Sequence, residues 1–159
     1  MKFIRPKKSA RQGDSFVFRM TLGEKELLLT TLKMYPMLDS KYHRLSRDPK
    51  ATTKAEQEWL VEAMEQQQQE HKKRLGQLLA DNQRFFRDDS GTLALTLTSE
   101  QMEWMLRVLN EIRVGSWARL GCPDPDAIRP AKMGAGQARF AASMELSGYF
   151  QSILLEAFS

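Results

Sequence analysis

The amino-acid sequence predicts a mostly α-helical single domain over residues 1–159: a four-helix bundle-like core with a small two- or three-stranded antiparallel β element. Three observations predict it. Four long stretches repeat apolar residues at helical spacing, and none is apolar all round, so each must bury its stripe on a neighbour. Two short stretches, 15–22 and 93–98, alternate with a period of two instead. The 159 residues, 42% hydrophobic and 28% charged, suffice for one buried core. That composition excludes a disordered polyelectrolyte, a collagen-like repeat and a disulfide-stapled miniprotein.

Taken in order, Phe16, Phe18, Met20 and Leu22 alternate with Val17, Arg19 and Thr21, a half-buried strand introduced by the turn residues Gly13 and Asp14. Phe3, Ile4 and Arg5 offer a hairpin partner for it. A leucine-rich helix is predicted over 24–38, its last turn perturbed by Pro36. A polar connection follows, then a helix over 54–82 with Leu60, Met64, Leu75 and Leu78 on one stripe. The turn Asp89-Ser90-Gly91 leads to a second strand with Leu93, Leu95 and Leu97 on one face. Thr98 and Gln101 fit a capping box, which starts a third helix with Met102, Met105, Leu106, Leu109, Ile112, Ser116 and Leu120 at 3.6-residue spacing. Gly121 and Pro123 stop it. After a proline-rich loop, the last helix spans 136–158, its apolar face carrying Ala138, Ala142, Leu146, Tyr149, Ile153 and Ala157.

Charge is unevenly placed. Lys2, Arg5, Lys7, Lys8 and Arg11 precede any acid. These five exceed the net charge of +4 by one, so residues 12–159 carry −1. The 1–14 segment therefore reads as a basic arm, a strand or flexible tail, with weak salt-sensitive phosphate binding as its functional alternative. The single cysteine, Cys122, allows no intrachain disulfide and no cysteine-based zinc site, and a cytoplasmic location is the expectation. No apolar run reaches the roughly 20 residues of a membrane-crossing helix.

The stretch from Phe18 to Leu29, Phe-Arg-Met-Thr-Leu-Gly-Glu-Lys-Glu-Leu-Leu-Leu, resembles the strand-into-helix start of an uncharacterised bacterial, actinobacterial-type family known only as a domain of unknown function. The run from Leu109 to Gly121, with Leu-Asn-Glu-Ile-Arg at its start and Arg-Leu-Gly at its end, is similar to that family's penultimate helix. Tyr149 through Phe158 resembles its closing helix, whereas 39–91 matches nothing in it. The resemblance implies a mostly helical bacterial cytoplasmic protein and brings no activity with it.

Candidate site residues follow from polar groups set among apolar ones. A helical projection places Arg113 between Leu106, Leu109, Trp117 and Leu120, and a guanidinium there must find a carboxylate, snorkel or line a cavity. A buried ion pair with Glu145, or else with Glu156, Glu24 or Glu26, is the structural expectation; an anion clamp is the functional one. The loop 129–137 could add to such a clamp: Arg129 and Lys132 bring charge, Gly134 and Gly136 free the backbone, and a helix start follows. It lacks the third glycine of a dinucleotide fingerprint and the Gly-Lys-Ser/Thr of a P-loop. His71 and Gln67 share the stripe of the second helix, most simply as a satisfied polar layer. Trp104 projects away from the leucines and Trp59 lies off its stripe, so both are candidates for an interaction surface.

No catalytic set, metal-ligand set or cofactor motif emerges. Cys122 lacks a neighbouring base, His43 is the only other histidine, and Glu-x-x-His is absent. The functional expectation is a non-enzymatic interaction or adaptor protein, self-associating as a homo-oligomer through helix faces. A small-anion binder or enzyme using Arg113 and the 129–137 loop is the alternative, and a weak nucleic-acid binder using the basic arm ranks behind both. No membrane partner is expected.

Overall fold

A computed structural model of the chain describes residues 1–4, 15–38, 50–81 and 83–159. Most of the expected basic arm (Arg5, Lys7, Lys8, Arg11) and His43 lie outside the described residues.

The molecule is mostly helical with a small antiparallel sheet. In chain order, β1 (Lys2–Ile4), β2 (Ser15–Arg19), α1 (Leu22–Leu32), α2 (Lys54–Ala80), β3 (Phe85–Arg87), β4 (Leu93–Thr98), α3 (Ser99–Arg119) and α4 (Ala135–Glu156) follow one another, with 3₁₀ turns at Pro125–Ala127 and Pro130–Lys132. The sheet order is β1-β2-β4-β3, every pair antiparallel. The sheet has four strands, one or two more than expected.

The sheet owes its register to one apolar row. Phe3 lies opposite Phe18, Phe18 opposite Leu95, and Phe85 opposite Leu95, so the row crosses all four strands. Sliding any strand by one residue would turn this row to the other face. Phe18, Leu95 and Leu97 are fully buried, and the Phe3 and Phe18 rings lie 5.5 Å apart. Phe16 meets Phe158 at 5.4 Å, which fastens the end of α4 to the sheet.

Strand β2 is shorter than its alternation suggested, because Thr21 starts a helix. Its side chain accepts from the Glu24 amide at 3.1 Å while the Glu24 carboxylate accepts from the Thr21 amide at 2.8 Å. The same reciprocal box opens α2 at Thr53 and Glu56, and α3 at Thr98 and Gln101 as expected. Helix α1 ends at Leu32, earlier than expected. Its end tightens as the Met34 and Tyr35 amides turn to the carbonyls of Thr31 and Leu32, and Pro36 has no amide to continue.

Helices α3 and α4 form the principal pair, with α1 against both and the sheet beside them. The core holds Met102, Met105, Val108, Leu109 and Ile112 of α3, Phe150 and Leu154 of α4, and Leu28 and Leu32 of α1. Small residues set the separations. A Cβ on Gly115 would collide with the Met37 Cβ and lie 3.4 Å from the Met37 carbonyl carbon, so only glycine admits the 33–38 segment there. On α4, the buried Ser147 and Ser143 hydroxyls donate to carbonyls one turn back, at 2.6 and 2.8 Å. The α4 face is thus Ala141, Ser143, Ser147, Phe150, Ile153 and Leu154, not the expected stripe; Ala142 and Tyr149 are exposed.

Candidate functional site

Arg113 corrects the central sequence expectation. The buried face of α3 comprises Met102, Trp104, Met105, Val108, Leu109, Ile112, Gly115 and Ser116, which is rotated from the projected leucine stripe. Arg113 falls outside it and is exposed. Its Nη2 donates to Asn110 Oδ1 at 3.2 Å, and its Cδ lies 3.9 Å from where a Cβ on Gly148 would sit. The aliphatic stem therefore covers the α4 glycine while the head stays hydrated, which avoids the several kcal/mol that desolvating a guanidinium would cost. Glu145 is also exposed, and no ion pair joins the two. The expected buried pair is not formed.

Both residues instead stand on one cleft of about 570 Å³ between α3, α4 and the loop that follows α3. Val114, Trp117, Ile128 and Met144 give it apolar walls, and Arg113, Asp124 and Glu145 put one positive and two negative groups on it. Local chemistry builds the wall. Gly121 and Cys122 take positive φ, 84° and 55°, which turns the chain back under the helix. The Trp117 Nε1 then donates to the Pro123 carbonyl at 2.9 Å and pins the ring, which remains 40% exposed. The exposed Cys122 sits in this turn. A cleft of this size, apolar with a few charged groups, falls within the range that small ligands or inserted side chains occupy.

The 129–137 loop does not join it. The cleft reaches Ile128 and stops there. Arg129 and Lys132 are exposed, Lys132 at the end of the second 3₁₀ turn. Gly134 is the N-cap of α4 with φ −64°, offering no side-chain cap, and Gly136 lies inside the helix. Neither glycine uses the left-handed freedom that suggested an anion loop. Arg113, Arg129, Lys132, Gly134 and Gly136 therefore share no cavity.

The two tryptophans expected at the surface part company. Trp104 is 5% exposed, because the C-terminal part of α2 covers that side of α3, so it is no interaction surface. Trp59 is 68% exposed near the start of α2.

His71 belongs to a polar cluster whose other members the sequence did not single out. Its Nδ1 lies 3.4 Å from the Tyr35 hydroxyl. Burial first, then the nearby Glu111 carboxylate, pushes the Tyr35 hydroxyl pKa up, so it stays protonated. Gln68, rather than the exposed Gln67, donates to the Leu38 carbonyl at 2.6 Å and to Glu111 Oε1 at 3.2 Å. The Leu38 amide donates to the same oxygen at 3.4 Å. Burial, helped by Arg74 and Arg107 and opposed by Glu70, lowers the His71 pKa. The cluster clasps α2 to the 33–38 segment and α3.

Among the described residues no group of three His, Cys, Asp or Glu could hold a metal ion, and no helix is long and apolar enough to cross a membrane. No protein-family model, no curated protein and no solved structure matches the chain.

Proposed function

We propose that this is a non-enzymatic interaction protein that associates with itself through the α3–α4 cleft. The observation that carries this reading is the presence of Arg113 and Glu145, opposite in charge and not ion-paired to each other, on one open, apolar-walled cleft. A two-fold contact is self-complementary: a residue on one copy meets its counterpart's partner on the other. Arg113 of each copy then faces Glu145 of its mate, while Val114, Trp117 and Met144 leave water. In this reading the α3–α4 pairs of two copies pack face to face.

The small-anion alternative is the weaker one, because Asp124 and Glu145 would repel an anion that approached Arg113. Binding of nucleic acid by the basic arm is a separate reading that replacing Lys7, Lys8 and Arg11 with glutamine tests, since β1 is then kept. Light scattering after size exclusion, over a range of concentrations, tests self-association. The expected result is a dimer, monomeric in Arg113→Glu and in Glu145→Arg, and dimeric again when both substitutions are combined. A strict monomer, or single variants with the parent's mass, overturns the reading.

A further inference from the structure

A second cleft, of about 400 Å³, lies between the C-terminal turns of α2 and the start of α3. Trp104 lines it. The ring is almost wholly buried, but its indole N–H has no acceptor among the described residues and opens on the solvent of the cleft. On another wall, Arg84 spends only Nε, on Asp81 Oδ2 at 3.0 Å. Its two terminal nitrogens, the pair that grips a carboxylate in bidentate fashion, make no bond within the described residues. Two independent donors on one cleft are therefore hydrated and free to take a ligand's acceptors.

The acceptors decide what they await. Asp81 and Glu100 also line the cleft, and Arg74 is already engaged by Glu70 and Glu100, at 2.9 and 3.0 Å. A simple anion would have to compete with both carboxylates for the arginines. A molecule carrying a carboxylate and an ammonium satisfies both signs at once, and the four charged side chains of the cleft (Arg74, Arg84, Asp81 and Glu100) sum to zero. Leu78 supplies an apolar floor. We propose that this cleft binds a small zwitterion of the amino-acid class, its carboxylate on the Arg84 terminal nitrogens and the Trp104 N–H, its ammonium on Glu100 and Asp81. The site stands apart from the α3–α4 cleft and needs no second copy.

The test follows the three indole N–H signals by heteronuclear NMR while each free L-amino acid is added at millimolar concentration, with its N-acetyl and C-amide forms in parallel. Trp104→Phe assigns the reporter; Trp59 and Trp117 are internal controls. The expected result is that at least one free amino acid shifts the Trp104 signal alone, that both blocked forms bind at least about tenfold more weakly, and that Arg84→Gln weakens binding by about the same factor. No shift with any free amino acid overturns the proposal. So does an N-acetyl form that binds as well as its parent, which would mark a plain anion site, or an Arg84→Gln variant of unchanged affinity.

Discussion

Helices α2 and α3 make the most instructive contrast in the molecule. Helix α3, 21 residues long, buries eight residues along its length. Helix α2, 27 residues long, buries two, Leu75 and Leu78, both near its C-terminus. Each shows an amphipathic stripe in sequence, yet only one is packed throughout. The N-terminal part of α2 keeps Leu60, Val61 and Met64 half-buried and leaves Trp59 in water. What holds the middle of α2 is the clasp of Gln68 and His71 on Tyr35, Leu38 and Glu111, not a hydrophobic seam. An apolar stripe is thus a capacity for burial; the partner surface decides whether it is used. From this difference in burial, the α3–α4 pair is expected to set the global stability and α2 to open first.

That contrast can be broken most forcefully in the core. Leu109→Ala, at a fully buried position, should cost about 2–5 kcal/mol in urea unfolding. Leu75→Ala should cost less and should raise hydrogen exchange in α2 ahead of α3; equal exchange in both helices would erase the distinction. Next in size, Gly115→Ala drives a methyl into Met37 and should cost about 1–3 kcal/mol, with the 33–38 segment displaced. Retained parental stability in this variant would mean that Met37 can yield.

The smallest effect sharpens the comparison through pH. The folded pKa of His71 lies below its ordinary value of 6.5, so below that pH the unfolded chain takes up the proton first. The stability linked to neutral His71 is therefore complete above pH 6.5 and declines as pH falls from there toward the folded pKa. Hydrogen exchange should place this loss in α2, beside Arg74 and Arg107, and His71→Gln should flatten it. A variant that keeps the parent's pH dependence would assign the effect elsewhere.

Much of this was legible in the sequence. Alternation located β2 and β4, helical spacing located four helices, and the Thr98–Gln101 box placed the start of α3 at Thr98 or Ser99, where Thr98 is the cap and Ser99 the first helical residue. The three-residue β3 escaped because a run that short shows no period. Arg113 was misplaced for a more general reason. A helical projection weights the leucine stripe, whereas the buried α3 face extends to Trp104, Val108 and Gly115, the last small enough to admit the 33–38 segment. The same holds for Ala141, Ser143 and Ser147 on α4. The Tyr35–Gln68–Glu111 cluster joins residues more than thirty positions apart, and no local pattern announces such a meeting. Trp104 was expected at the surface, but its ring is buried and only its N–H opens on a cleft.

The brevity of the two outer strands also governs how crowded copies behave. Strands β1 and β3 are three residues each, and Lys2 and Arg87 are exposed on them. Margins so short, each with a cation, give a stray strand little backbone to graft onto, so the sheet resists seeding a fibril. Under the proposed self-association, contact between copies would then fall to helical surfaces, where it is finite, closed and undone by dilution.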